Sequence, residues 1–242
     1  MKLKYRFLKI SICLTFLVIM WAFSVQRYDN RKFDHPNLNA YNKQDVSFVN
    51  DSNLLQCIYK TVPDKNSIQI GDLNVAEIET ELHKNLFIDT ANVYLNQKGD
   101  LYVYIQQKEP IVRIKSKENE FYLDKKAVAF PLSSQYAKNC LLVNGEIDTL
   151  EYPKIVRLAH VISMDKLLTK HIIGVNKVSK NSFNLLLNTN AFELEFGDLE
   201  NIEAKFNNLK EFYNQYLNHV GLEMYKKISL KYKNQIVATK YK

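Results

Sequence analysis

The pattern of apolar and polar positions changes character once along the chain, near residue 25. Residues 10–25 carry no charge, and the three residues before them extend the largely apolar run to 19 positions. At 1.5 Å per residue such a run forms a helix of about 28 Å, close to the roughly 30 Å hydrocarbon core of a bilayer. The pattern predicts one membrane-spanning helix, and no later run approaches this length.

The charges on either side of the run predict its orientation. Four basic residues and no acidic residue precede residue 10, whereas the basic residues after residue 25 are mixed with Asp29 and Asp34. By the positive-inside rule we expect a cytoplasmic N-terminus and an exported remainder. A cleaved signal peptide is an alternative, because a small-residue site lies at residues 22–24. Under either interpretation the bulk of the chain is exported.

In the next part of the chain, apolar residues alternate as in strands in some segments and recur at helical spacing in others. It follows a polar segment, residues 26–44, that we interpret as a linker. The predicted elements are a strand at residues 46–49, helices at residues 54–62 and 75–86, and strands at residues 91–95 and 101–105. Ser52-Asn53 precede the first helix as a cap, and Asn74 and Glu77 have capping-box spacing before the second. The predicted order is β-α-α-β-β.

The remaining residues predict a mixed β-rich domain with two helices, so the fold class is α+β. Strands are predicted at residues 121–130, 140–143, 172–178, 183–187, 192–196, 228–232 and 236–241. One helix is predicted at residues 153–168, and a second follows Asp198 as its N-cap.

Composition narrows the functional classes. The net charge is +7, but the first 25 residues hold four basic and no acidic residues, which leaves +3 for the rest. More than half of the positive charge therefore reflects membrane topology, and we expect no nucleic-acid partner. Cys57 and Cys140 allow one conceivable disulfide, but free thiols are the favoured interpretation.

Residues that would carry catalysis are hard to find. The five histidines never occur at metal-ligand spacing, and six glycines form no phosphate-binding loop. Glu77 and Glu81 lie one helical turn apart and could form a carboxylate pair for sugar chemistry, although acidic residues near a helix start more often stabilise its dipole. We therefore predict a protein without enzymatic activity, metal or cofactor.

Several short stretches occur in a particular order along the chain. Residues 107–113 read Gln-Lys-Glu-Pro-Ile-Val-Arg, and the later stretches are Tyr122-Leu123-Asp124, Phe130-Pro131-Leu132-Ser133, Val143-Asn144-Gly145, Phe196-Gly197 and Ile228-Ser229-Leu230-Lys231-Tyr232. Behind a single apolar run, this order resembles the bacterial cell division family FtsQ, called DivIB in Gram-positive bacteria, and most closely its Bacteroidetes type. Residues 107–113 resemble the family motif Gln-Arg-x-Pro-Ile-x-Arg, and the motif residues in this chain are Gln107, Lys108, Pro110 and Arg113. Lys108 replaces the family's Arg, and Ala127 stands where Gly is usual.

The resemblance implies an organisation and a function. It implies a cytoplasmic tail (residues 1–9), a transmembrane helix (10–25), a linker (26–44), a POTRA domain (45–112) and a β domain (113–242). It further implies a non-enzymatic, single-pass inner-membrane scaffold of the divisome, periplasmic in its bulk and enriched at the septum, which coordinates septal peptidoglycan synthesis. A POTRA-containing factor that assembles or docks exported polypeptides is the alternative function.

The resemblance also implies a partner-binding strand. The β domain would bind FtsB-like and FtsL-like division proteins through an exposed strand edge, since such an edge can accept a partner's strand. The residues implied in binding are Tyr232, Gln235, Ile236, Val237, Ala238 and Thr239. An ordinary edge guarded by lysines is the other interpretation, and the guarding residues would be Lys231, Lys233, Lys240 and Lys242.

Overall fold

The chain folds as two compact units, Met1–Lys108 and Glu109–Lys242. The computed structural model describes residues 2–33, 36–40, 48–62, 68–189, 192–217, 224–233 and 235–241. The unit boundary lies at the family-motif segment, four residues before the predicted start of the β domain.

The first unit begins with helix α1, Lys2–Asp29, which contains the apolar run. Large apolar side chains are exposed along it, from Tyr5 (64% exposed) to Val25 (42% exposed). A helix that is apolar on all sides and packs against no protein core is suited to lipid. Over residues 5–29 it is long and apolar enough to cross a membrane, and no other helix of the described residues is.

After α1, the first unit has the predicted β-α-α-β-β order. Its elements are β1 (Asn37–Ala40), α2 (Asp51–Lys60), α3 (Val75–His83), β2 (Ile88–Leu95) and β3 (Leu101–Gln107). Strand β3 lies in the centre, parallel to β1 and antiparallel to β2. Helices α2 and α3 cover one face of this sheet through Ile58, Ile78 and Leu82, which are fully buried. The predicted capping role of Asn74 is confirmed, because its Oδ1 accepts a hydrogen bond from Glu77 N at 3.3 Å.

The prediction of the first strand at residues 46–49 is wrong. Strand β1 is formed by Asn37–Ala40, inside the segment interpreted as linker. Phe48 and Val49 form a bend, and their backbone N–H groups donate to the side chain of Gln107 instead of to a strand. Residues 46 and 47 lie outside the described part. Helix α2 is capped by Asn50, not by Ser52-Asn53, since Asn50 Oδ1 accepts from Asn53 N at 2.9 Å.

In its described residues the second unit has a nine-stranded mixed sheet and three α-helices. Its strands are β4 (Pro110–Lys115), β5 (Glu120–Asp124), β6 (Ala129–Pro131), β7 (Leu141–Asn144), β8 (Ile172–Ser179), β9 (Ser182–Leu187), β10 (Glu193–Gly197), β11 (Tyr225–Ser229) and β12 (Val237–Lys240). Their spatial order is β12-β11-β10-β9-β8-β7-β4-β5-β6. The helices are α4 (Tyr152–Met164), α5 (Lys166–His171) and α6 (Ile202–Phe212).

One continuous core joins the helices to the sheet. Ile155 and Leu158 of α4 and Phe206 of α6 are at most 1% exposed, and they pack with the inward side chains of the strands. The rings of Phe196 on β10 and Phe206 are 5.2 Å apart. The predicted α+β class with a β-rich second domain is confirmed.

Helix ends and strand ends in this unit differ from the predicted ones. The helix expected at residues 153–168 is divided at Asp165, whose Oδ1 accepts from Leu167 N and Leu168 N and so starts α5. Asp198 is not the cap of α6, which begins at Ile202 after Asn201. Asp198 instead accepts a hydrogen bond from Lys205 Nζ at 2.5 Å. The strand expected at residues 228–232 is Tyr225–Ser229, and Leu230, just after it, still donates its N–H to Glu195 O of β10.

Candidate partner-binding edge of the nine-stranded sheet

Strand β12 is the outermost strand at one end of the nine-stranded sheet. It runs antiparallel to β11, with Val237 opposite Ser229 and Thr239 opposite Lys227. Strand β11 in turn lies parallel to β10 and is well anchored, because Ile228 is fully buried. Within the described residues, β11 is therefore the one strand that pairs with the predicted binding segment.

The backbone of β12 alternates between its neighbour and the open side. Tyr241 N donates to Met224 O at 3.2 Å, and Leu230 N donates to Glu195 O on the far side of β11. Since alternate residues of an antiparallel strand turn their N–H and C=O groups to opposite sides, Val237 and Thr239 bond β11. The same alternation turns the backbone groups of Ala238 and Lys240 away from the sheet.

The side chains alternate as well. Ile236 and Ala238 are half-buried and pack against the core, whereas Val237 is 42% exposed and Thr239 is exposed. Gln235 is exposed and precedes the strand. The structure thus places five of the six predicted binding residues consecutively along this edge.

Tyr232, the sixth predicted residue, lies in the connection between β11 and β12. Its side chain is 51% exposed. It lines a small hollow of about 220 Å³ together with Asp198, Lys205 and Lys231. Tyr232 is therefore accessible beside the edge, outside the strand itself.

A groove of about 540 Å³ lies along the edge, between α6 and the last two strands. The helix side of it is lined by Asn208, Glu211 and Phe212, and the strand side includes Tyr225, Ile236 and Ala238. Phe212 packs edge-on against Tyr225 with ring centroids 5.6 Å apart. The helix residues of this groove were not predicted from the sequence, because no local pattern shows which strand Phe212 will face.

The surroundings of the edge are basic. Lys227 Nζ lies 3.2 Å from Glu195 Oε2 and Lys231 Nζ lies 3.4 Å from Glu195 Oε1. Burial opposes the ionisation of Glu195, but hydrogen bonds from neighbouring side chains, including Lys227 and Lys231, outweigh it and lower its pKa. Lys233 and Lys240 are exposed. The Glu195 carboxylate thus lies within 3.4 Å of two lysine ammonium groups.

The family-motif residue Gln107 has a structural role in the first unit. It is 4% exposed, and its Oε1 accepts hydrogen bonds from Phe48 N at 2.8 Å and Val49 N at 3.3 Å. This side chain therefore ties the end of β3 to the segment that enters α2. Lys108 follows it, and its backbone N–H donates to Phe87 O at 2.8 Å.

The other two motif residues lie in the second unit, on β4. Pro110 is buried at the start of that strand, opposite Asp124 of β5. Arg113 donates from Nε to Glu120 Oε1 at 2.8 Å, and its Nη2 is also 2.8 Å from the same oxygen. These contacts fasten β4 to β5, far along the sheet order from β12.

The carboxyl pair and the two cysteines named in the sequence analysis have the following surroundings. Lys84 hydrogen-bonds Glu81 and lowers the pKa of that carboxyl, whereas a general acid needs a raised one. Cys57 and Cys140 are free thiols, and burial raises the pKa of Cys140 to about 11. No three His, Cys, Asp or Glu side chains of the described residues gather as metal ligands.

These features define a class of protein: an apolar N-terminal helix and a POTRA-like unit, followed by a β-rich domain with an open sheet edge. A family model described as POTRA-like domain matches residues 36–106. The family model described as FtsQ/DivIB, C-terminal related, matches residues 109–239, which is more than half of the chain. The chain therefore belongs to the FtsQ/DivIB family, and the resemblance noted in the sequence is confirmed. No curated protein matches the chain.

Membership of this family fits a general role. The FtsQ/DivIB-related and POTRA-like domains suggest a division-associated scaffold. The single N-terminal apolar helix is compatible with a single-pass membrane protein.

Proposed function

We propose that this protein is a single-pass scaffold of the bacterial divisome that binds FtsB-like and FtsL-like division proteins through strand β12. In this proposal α1 crosses the inner membrane with its N-terminus in the cytoplasm, and both units are periplasmic. The protein would be enriched at the septum, where it coordinates septal peptidoglycan synthesis with its partners. Its role is binding rather than catalysis.

The observation that carries the proposal is the open backbone of β12. Ala238 and Lys240 turn their N–H and C=O groups away from β11, so an extended partner segment can pair there as a further strand. Main-chain hydrogen bonds of this kind supply affinity without demanding a particular sequence. Specificity then has to come from side chains next to the edge.

Two features supply such specificity. The groove between α6 and β12 can accept alternate side chains of the added strand, since they project to one face of the sheet at every second residue. The exposed Lys233 and Lys240 favour a segment that carries acidic residues. Lysines on an edge strand also hinder pairing with unrelated strands, so the guarding interpretation and the binding interpretation describe one surface.

The test is removal of the edge in the full-length protein. Residues 235–242 are deleted, and the variant is co-expressed in cells with the FtsB-like and FtsL-like proteins of the same organism. We expect co-purification of the FtsB-like protein to be lost, because β12 supplies the pairing backbone. The circular dichroism and thermal transition of the variant report whether the remaining sheet still folds.

A photo-crosslinking amino acid provides the matched control. Placed at Thr239 on β12 it should crosslink the FtsB-like protein, whereas at Ala129 on β6, an exposed position on the opposite edge strand, it should not. Undiminished co-purification after the deletion, or crosslinks from Ala129 only, would disprove the proposed site.

A further inference from the structure

The end of α1 is bonded to the rest of the first unit, where the sequence predicts a free linker. Tyr28 Oη donates to Asn96 O at 3.0 Å, in the turn between β2 and β3. Two backbone hydrogen bonds of 2.9 Å follow, one from Ile70 N to Arg31 O and one from Phe33 N to Ile68 O. Phe33 is 9% exposed. The chain that leaves the helix is thus held against the POTRA-like unit within four residues.

The contact is close enough to require a glycine. A Cβ atom added to Gly71, in the helical turn Ile70–Asp72, would lie 2.9 Å from Asp29 Cβ and 3.4 Å from Asp29 O. Carbon atoms at that separation repel each other, so any larger residue at this position would push the turn away from α1. The two segments therefore fit together as a packed interface.

The position of this interface along α1 sets its depth in a membrane. Asp29 lies four residues beyond Val25, the end of the apolar run, which is about 6 Å of helix. The headgroup region of each leaflet is also about 5–7 Å thick. The two turns that contact the helix end, Ile70–Asp72 and residues 96–100, would consequently lie at headgroup level.

The exposed charged side chains at this level include four cations and the carboxylate of Asp72, while Asp29 and Asp100 are half-buried. Arg27 and Arg31 project from the helix end, Lys32 follows them, and Lys98 is at the tip of the β2–β3 turn. Tyr28 lies among them, with Arg31 Cζ 5.6 Å from its ring centroid. Aromatic and basic residues in this arrangement are typical of groups that contact phospholipid headgroups.

We propose that α1 and the POTRA-like unit move as one body that rests the β2–β3 turn on the membrane surface, with Arg27, Arg31, Lys32 and Lys98 contacting anionic phospholipid headgroups. The inference rests on the proposed function only in that α1 must cross the membrane. It adds a second, lipid-binding surface to a unit that a flexible linker would leave free above the bilayer.

The test measures how closely the turn approaches lipid in the full-length protein. Spin labels are attached in vesicles containing phosphatidylglycerol, at Gln97→Cys in the turn or at Thr90→Cys, in a background of Cys13→Ser, Cys57→Ser and Cys140→Ser. Both positions are exposed, and Thr90 lies about 20 Å from the turn along β2. We expect a nickel-chelating lipid to relax the Gln97 label several-fold more than the Thr90 label.

Two variants examine the cause. Gly71→Leu should abolish the difference between the labels, because it separates the unit from α1, whereas Ala76→Leu on the exposed face of α3 should not. Lys98→Glu should reduce relaxation of the Gln97 label in phosphatidylglycerol vesicles but not in phosphatidylcholine vesicles. Equal relaxation at the two positions overturns the inference.

A third label separates this inference from the membrane-spanning role of α1. A label on the native Cys13, in the Cys57→Ser and Cys140→Ser background, should collide with oxygen dissolved in the bilayer. If Cys13 lies in the bilayer while the Gln97 and Thr90 labels behave alike, only the lipid-surface inference fails. If Cys13 is outside the bilayer, the membrane-spanning role and the inference fail together.

Discussion

The nine-stranded sheet ends in two edge strands that differ in how much backbone they offer. Strand β6, Ala129–Pro131, is 3 residues long and pairs with β5. Strand β12, Val237–Lys240, is 4 residues long, contains no proline and pairs with β11. Both are short, so length alone does not explain why one edge should bind a partner.

The orientation of the backbone separates the two edges. Asp124 N donates to Val128 O at 3.1 Å, so by alternation Phe130 bonds β5 while Ala129 and Pro131 face outward. Pro131 has no N–H group, which leaves Ala129 as the one outward donor of β6. On β12 both outward residues, Ala238 and Lys240, keep their donors. The β6 edge, which we call the closed edge, thus lacks one outward N–H donor because of Pro131. The β12 edge, which we call the open edge, has no proline and keeps both outward donors.

Asp124 fixes the turn that leads into the closed edge. Its side chain is 4% exposed, and its Oδ1 accepts from Lys126 N and Val128 N, both at 2.8 Å. Asp124→Ala leaves two backbone donors without this acceptor, so we expect unfolding free energy to fall by about 2 kcal/mol. Chemical denaturation measures the loss.

The same variant tests whether the two edges are independent. Partner binding through β12 should persist below the unfolding transition, because β6 lies at the opposite end of the sheet order. Asp124→Asn keeps an acceptor oxygen and should lose much less stability. A loss of partner binding as complete as that caused by removing β12 would show that β6 also takes part.

The open edge is tested by proline at single positions of β12. Ala238→Pro removes an outward N–H and leaves the ladder to β11 intact, so we expect partner affinity to fall about tenfold, or about 1.4 kcal/mol, with little change in stability. Thr239→Pro removes an N–H that bonds β11 and should lower stability instead. Titration calorimetry and thermal unfolding of both variants separate the effects. Equal loss of affinity and stability in the two would refute the assigned orientation.

Much of this architecture was predictable from local pattern. The apolar run, the two helices and last two strands of the first unit, and the approximate places of most later strands follow from alternation and helical spacing, which act over a few residues. The first strand does not, because it was expected at residues 46–49 and lies at Asn37–Ala40. Capping by Asn74 was also visible, because its partner Glu77 is three residues away. The strand predicted at residues 236–241 also follows from alternation, whereas the choice of residues 235–239 as a binding edge came from the family resemblance and stays a prediction.

Features set by distant partners were not predictable. The alternation at residues 46–49 is typical of a strand. The N–H groups of Phe48 and Val49 nevertheless donate to the side chain of Gln107, almost 60 residues later. Similarly, Glu79 Oε1 accepts a hydrogen bond from Val93 N at 2.8 Å, 14 residues along the chain, and covers part of the edge of β2. The contact between Gly71 and Asp29 likewise joins segments whose proximity no local spacing reveals.

The smallest expected effect is that of a substitution at Ala127, which concerns the closed edge alone. Its φ of 60° lies in the left-handed region, which explains why the family usually has Gly at this position of the turn before β6. A residue with a Cβ pays roughly 1–2 kcal/mol there, and glycine loses about 0.5–1 kcal/mol through its greater freedom when unfolded. Ala127→Gly should therefore raise unfolding free energy by about 0.5 kcal/mol, measured by chemical denaturation, and leave partner affinity unchanged. Ala129→Gly, next to the turn in β6, is the control and should lower stability; a gain there too would mean that the backbone of Ala127 is not strained.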